Sequence, residues 1–176
     1  MPKPQKRGFV QNALISWVDI TPTILDFAGV SSVKQGRSFK NIVEQDTVTG
    51  WDEVYASHSL HEVTMYYPMR VLRERRYKLI FNIAHNLPYP MALDLYNSFT
   101  WQDILRTKQK QFGKRTVDAY LHRPRFELYD LQTDPDEVRN LATNPRFQVI
   151  LKRMQEKLKS FQQKTHDPWV SKWDFE

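Results

Sequence analysis

The densest cluster of reactive side chains in this sequence is His58-Ser59-Leu60-His61-Glu62. A carboxylate can accept paired hydroxyl hydrogens from a sugar, and an imidazole can donate to an anionic group, so His61 and Glu62 suit contact with a polar substrate. The order His-x-x-His-Glu beside a strand does not match the zinc pattern His-Glu-x-x-His, which needs both imidazoles on one helix face. The plainer account of the cluster is a hydrogen-bonded structural pair at a sheet edge. Covalent catalysis finds little support: there is no Gly-x-Ser-x-Gly elbow, no glycine-rich phosphate loop and no cysteine. The missing cysteine also removes disulfides and thiolate metal sites. Asp134, Asp136 and Glu137 lack the alternating acids and central glycine of a calcium-binding EF-hand, and capping explains them better.

The 176 residues suit one domain, or one domain with a fragment of another. A hydrophobic content of 40%, with 13% aromatic, is enough for a packed core. The net charge of +6 is unevenly placed: Arg70, Arg73, Arg75, Arg76, Lys78, Arg106, Lys108, Lys110, Lys114, Arg115, Arg123 and Arg125 face only Glu74, Asp94, Asp103 and Asp118 in the same stretch. Such a surplus draws polyanions, a sulfated glycan as readily as a nucleic acid, although charge runs are commonly just solvated surface. No zinc-finger, RNA-recognition or helix-turn-helix signature favours nucleic acid. No apolar run reaches the length of a membrane span, and the basic start Met1–Arg7 lacks the apolar run and cleavage pattern of a signal peptide.

The elements that must position the cluster read as an α+β arrangement. Residues 9–29 suggest a strand-like run and then a short helix, with Thr21 as cap, Pro22 in the first turn and Gly29 as a left-handed stop. Asp46 to Gly50 read as a connector, which places a boundary near residue 50. Strands are expected at 53–57, 69–72, 77–81 and 126–131, with Tyr77, Leu79 and Phe81 on one face of a hairpin. Residues 83–125 read as a long excursion. Asp134, Pro135 and Glu137 resemble a capping box before a helical turn. Asn144-Pro145 opens an amphipathic helix of about 18 residues, whose stripe of Phe147, Ile150, Leu151, Met154, Leu158 and Phe161 should cover the sheet.

Three ordered strings carry a family resemblance: Val18-Asp19-Ile20-Thr21-Pro22-Thr23-Ile24-Leu25-Asp26 with Gly29; Gly36-Arg37-Ser38; and Glu127-Leu128-Tyr129-Asp130-Leu131 with Asp134-Pro135 and Asn140-Leu141-Ala142. Together they resemble the C-terminal part of a sulfatase. His61-Glu62-Val63-Thr64-Met65, Tyr67-Pro68-Met69-Arg70, Arg125 to Asp130, Asn140 to Phe147 and Thr165-His166-Asp167-Pro168-Trp169 resemble the sulfamidase branch, which acts on N-sulfated glucosamine. Residues 95–123 match that branch least. The resemblance implies that residues 1–50 are the tail of an alkaline-phosphatase-like α/β catalytic domain, and that residues 51–176 form a subdomain with a four-stranded antiparallel sheet and a packed C-terminal helix.

It further implies a hydrolase that uses formylglycine and calcium, neither of which this chain can supply, since it has no Cys/Ser-x-Pro-x-Arg motif. The isolated chain is expected to be inactive. His61 and Glu62 become expected substrate-binding residues for a heparan-type glycan, whereas His58 gains nothing from the resemblance. The implied partners are the sulfated glycan and an N-terminal sulfatase domain, without nucleic acid or membrane; a homodimer stays open, and the intact enzyme would be lysosomal or exported. The other reading is a non-catalytic module that binds sulfated polyanions.

Overall fold

The computed structural model describes residues 8, 10–30, 35–62 and 65–175. The basic stretch at residues 1–7, Phe9 at the start of the strand-like run, and Val63 and Thr64 of the His61–Met65 string lie outside the described residues. The chain divides into two units, Met1–Val54 and Tyr55–Glu176.

In the first unit a 3-10 turn, Trp17–Asp19, leads directly into helix α1, Ile20–Phe27, and a second 3-10 turn spans Lys40–Ile42. The helix starts earlier than Thr21 and Pro22 suggest, running straight on from the 3-10 turn; the Asp19 carboxylate caps that turn by accepting from Ser16 N–H and also accepts from Arg37 N–H, each at 3.0 Å. No strand forms among described residues 10–16, where Leu14 N–H to Trp51 O at 2.8 Å is a single bond rather than a ladder. Gly29 does stop the helix in the left-handed region, at φ 73°.

The first two sequence strings are one structure. Ser38 donates to Asp26 at 2.6 Å, the Lys40 ammonium donates to the same carboxylate at 3.2 Å, and Thr23 Oγ1 accepts from Phe39 N–H at 3.0 Å. Gly36 is required by space, since a Cβ there would sit 2.0 Å from the carbonyl oxygen of Val18. The hydrogen bond from Ser38, reinforced by Lys40, holds the Asp26 carboxyl below its usual range. Among the described residues here the buried apolar cluster is small, Ile42, Val48 and Trp51, while Trp17 is 87% and Ile24 62% exposed.

The second unit carries all but the first two residues of strand β1 (Glu53–His61), strands β2 (Met65–Glu74) and β3 (Tyr77–Asn82), and helices α2 (Leu93–Tyr96) and α3 (Phe99–Thr107). A small hairpin of β4 (Gln111–Phe112) and β5 (Arg115–Thr116), helix α4 (Val117–Leu121), strand β6 (Phe126–Asp130) and helix α5 (Gln148–Lys164) follow. The main sheet has the order β1-β2-β3-β6, with β2/β3 and β3/β6 antiparallel, so the α+β expectation holds. β1, β2 and β3 run longer than their sequence signals, β6 ends at Asp130, one residue short of its signal, and β2 continues through Pro68.

Register explains the core. Leu72 pairs with Leu79, Leu79 with Leu128 and Phe81 with Phe126, which puts Leu72, Leu79, Phe81 and Leu128 on one face. There they meet Leu151, Met154 and Leu158 of α5, all buried and spaced at three and four residues. Asn144 caps the turn before α5 by accepting from Arg146 N–H at 3.0 Å, as its sequence signal predicts.

The expected capping box at Asp134 does not form a helix. Asp134 instead accepts from the N–H groups of Val138 and Arg139, at 3.1 and 2.8 Å, and Glu137 sits at φ 55°. A left-handed residue three positions after the cap closes a turn and stops helical propagation. Glu137 turns outward to Lys78, which donates to both its oxygens at 2.7 and 2.9 Å.

Candidate functional site

The His cluster lies at the end of β1, where the strand turns into β2. His58 is half-buried, and His61 and Glu62 are exposed. Glu62 adopts φ 61°, a left-handed geometry that breaks the strand straight after His61. His58 and His61 would point to opposite faces of a regular strand, being three residues apart. The strand end brings them together: both line one pocket of about 260 Å³, with Met65 beside them. The opposite wall is Tyr89, Pro90, Ala92, Leu95 and Tyr120, all from the 83–125 excursion. Glu62 follows the pocket residues in sequence but does not line it.

The histidine side is anchored by charge. Arg70 donates from Nε and Nη2 to the two Asp167 oxygens, at 2.5 and 2.9 Å, with the pair only 8% and 11% exposed. Its Nη1 donates to the carbonyl of His58 at 3.1 Å and to that of Met69 at 2.9 Å. The C-terminal segment is thereby tied to the backbone of the histidine strand. Burial would raise the Asp167 carboxyl, but the bonds from Arg70 and from Trp169 N–H outweigh it and leave the group below its ordinary value. Gln162, absent from the expected helix stripe, is fully buried; it accepts from the Trp173 indole at 2.7 Å and donates to Asp167 at 3.2 Å.

The tyrosine side is anchored by a buried polar network on the second face of the sheet. Alternation suggests that Glu127 and Tyr129 face away from the core, yet both are buried beneath the excursion. Glu127 accepts from Asn82 Nδ2 at 2.6 Å and from the Tyr129 hydroxyl, with the Arg123 guanidinium at 4.0 Å. That guanidinium lies 4.0 Å from the centre of the Tyr89 ring and 5.7 Å from that of Tyr120. Tyr89 meets Tyr67 and Tyr120 edge-on, and Tyr120 meets Phe112 the same way. Burial pushes the Tyr67 hydroxyl up to about 12, and burial together with the Glu127 charge raises that of Tyr129 further.

The basic surplus of residues 70–125 is largely engaged internally. Besides Arg70 and Arg123, Arg76 pairs with Asp130 at 2.8 Å, Lys78 with Glu137, Lys114 with Asp136 and Arg106 with Asp103. Arg115 donates to the carbonyl of Glu137 and Arg125 to that of Lys172. Among the described residues no group of three or more His, Asp or Glu side chains is placed to hold a metal ion. The described side chains therefore do not fit the calcium that the sulfatase resemblance implies, and the sequence has no Cys/Ser-x-Pro-x-Arg motif to yield formylglycine. No described helix is long and apolar enough to cross a membrane.

Comparison with known proteins decides the family. Residues 1–97 match the family model for the C-terminal region of N-sulphoglucosamine sulphohydrolase. The chain belongs to this family. It is 39% identical over 95% of its length to human N-sulphoglucosamine sulphohydrolase, covering 36% of that protein. It is 30% identical over 87% of its length to an ulvan-active sulfatase of Formosa agariphila, covering 30% of that protein. The chain thus spans about a third of the curated sulfatases it matches.

Among solved structures, a putative sulfatase from Bacteroides thetaiotaomicron superposes with a TM-score of 0.57 at 20% identity, over 87% of this chain and 25% of that one. At that identity the match speaks for the fold of the N-sulphoglucosamine sulphohydrolase C-terminal family, which is that of sulfatases. Sequence reasoning placed weight on His61 and Glu62 and little on His58, Tyr89 or Tyr120. The aromatic run Tyr89, Trp101, Phe112 and Tyr120 inside a polar excursion was the available signal, since aromatics spaced through a loop must pack somewhere.

Proposed function

We propose that this chain is the C-terminal portion of a sulfatase that removes the N-linked sulfate of glucosamine in heparan-type chains. Residues 1–50 are the tail of its alkaline-phosphatase-like catalytic domain, and residues 51–176 are the C-terminal subdomain. His61 and Glu62 contact the substrate sugar. The formylglycine and calcium of such an enzyme would be held by its N-terminal domain, where they would supply the nucleophile and the positive charge for the hydrolysis. The chain's own part is to bind and orient the sugar at the rim of that site. The intact enzyme works in a lysosome or outside the cell.

The observation that carries this reading is the 39% identity to human N-sulphoglucosamine sulphohydrolase over 95% of the chain. Two features of the structure support it. His61 lines an open pocket and Glu62 is exposed beside it, so neither is sealed in the core. Exposed Trp17, Val18 and Ile24 in the first unit are the apolar surface that a missing catalytic domain would cover. The alternative of a polyanion-binding module gains nothing from cations already held by internal carboxylates.

The test is turnover of an N-sulfoglucosamine substrate by the full-length protein. His61→Ala and Glu62→Ala should each lower kcat/KM by about tenfold or more, the scale of one hydrogen bond to a charged group. The 176-residue chain alone should show no turnover. Unchanged kcat/KM in both variants would remove these residues from the substrate site.

A further inference from the structure

The pocket holds one imidazole whose hydrogen-bonding role the fold has already settled. His58 Nδ1 lies 3.0 Å from the carbonyl oxygen of Tyr67. A carbonyl carries no hydrogen, so Nδ1 must be the donor, and in the neutral ring the proton is then on Nδ1 and the lone pair on Nε2. Among the described residues Nε2 has no hydrogen-bond partner. The bond from Nδ1 to Tyr67 O sets the direction of the ring, and Arg70, which donates to the His58 carbonyl at 3.1 Å and is clamped on Asp167, holds the backbone that carries it. A half-buried acceptor of fixed direction in a pocket calls for a donor from a ligand. Across the pocket stand Tyr89 and Tyr120, with Pro90, Ala92 and Leu95 making the rest of that wall apolar.

We propose that His58 is a ligand-binding residue of this pocket: Nε2 accepts a hydroxyl hydrogen from a pyranose ring whose apolar face rests on the Tyr89–Tyr120 wall. The choice of a pyranose rests on the sulfatase reading above, while the acceptor role of Nε2 rests on geometry alone. A sugar fits both halves of the pocket, since its C–H faces pack against aromatic and aliphatic carbon and its ring edge carries hydroxyl donors. His58 thereby recognises a neutral group, a task separate from contact with the sulfate. Arg70 and Asp167 act as positioning residues for it.

The experiment uses the full-length protein with 15N-labelled histidine, and glucosamine 2-N-sulfate and unsulfated glucosamine as probes. Before ligand is added, the imidazole signals of His58 should report a proton on Nδ1 and none on Nε2. Both probes should shift the Nε2 resonance. His58→Asn keeps a donor for the Tyr67 carbonyl but has nothing at the Nε2 position, so it should leave Tm unchanged and weaken both probes about tenfold, the loss of about one hydrogen bond. His58→Gln, whose amide reaches the Nε2 position, should recover part of that loss.

A proton found on Nε2 in the free protein would overturn the proposal, as would His58→Asn binding both probes like the unaltered protein. The sulfatase reading is judged separately by the ratio of the two probes. Equal affinity for both counts against recognition of N-sulfate and leaves the His58 result standing.

Discussion

The two faces of the main sheet are covered in different chemical styles. One face packs Leu72, Leu79, Phe81 and Leu128 against Leu151, Met154 and Leu158 of α5, with the buried Arg70–Asp167 pair and Gln162 toward one end and Glu74 meeting Arg153 and Lys157 at the other. The other face buries Glu127, Asn82, Tyr129 and Tyr67 beneath an irregular excursion held by Arg123 and a set of aromatic rings. The apolar face is non-directional and stabilises by area removed from water. The polar face is directional, and through Arg123 and Tyr67 it also touches Tyr89 and Tyr120 of the pocket wall. The histidine side of the pocket is thus held from the first face, through Arg70 and Asp167, and the tyrosine side from the second, through Arg123.

The comparison is tested most severely by α5. Leu158→Ala should cost about 2–5 kcal/mol in denaturant unfolding, the usual range for a buried Leu truncation, and should leave the geometry of the tyrosine wall unchanged in near-ultraviolet circular dichroism. A loss below about 1 kcal/mol would mean that α5 is not the chief cover of the core.

A smaller stability effect and a larger local one are expected from Arg123→Leu. Removing the cation from the Tyr89 face should cost about 1–2 kcal/mol, the range of a desolvated cation–aromatic contact. It should also change the near-ultraviolet signal of the aromatic cluster and weaken any sugar bound in the pocket. A change in stability with neither of the other two would make the polar face merely structural.

The mildest effect is electrostatic. The Arg153 hydrogen bond, with Lys157 beside it, lowers the Glu74 carboxyl to about 2 from an ordinary 4.5. Because the folded value is the lower one, this contribution is fully present above about pH 4.5 and is lost as pH falls from there through about 2. With Arg153 nearly half exposed the gain is at most about 1 kcal/mol. Urea unfolding at pH 5 and pH 3 should therefore differ less in Glu74→Gln than in the unaltered protein; equal differences would show that this pair contributes nothing.

Much of the apolar face was legible in the sequence because its signals are local and periodic. Leu151, Met154 and Leu158 recur at helical spacing, and Tyr77, Leu79 and Phe81 alternate at strand spacing. The polar face was not legible, because alternation assigns Glu127 and Tyr129 to solvent unless something covers them. What covers them is residues 83–125, whose helices and small hairpin are held by contacts far apart in sequence, such as Asn82 donating to Pro124 O at 2.8 Å. Asp134 failed as a helix cap for a related reason: Lys78, 59 residues from Glu137, competes for the carboxylate that a capping box would use.

By itself the sequence determined the order of the elements, the helix that covers the sheet, the family, and the presence of His61 and Glu62 at a strand end, because side-chain periodicity and ordered motifs are properties of neighbouring residues. Only the tertiary structure decided that His58 joins His61 in one pocket, that Tyr89 and Tyr120 face them, and that Arg70 and Asp167 clamp the strand across 97 residues. The direction of a side chain at a broken strand end, and the partner of a buried charge, depend on chain segments that meet only when the whole fold closes.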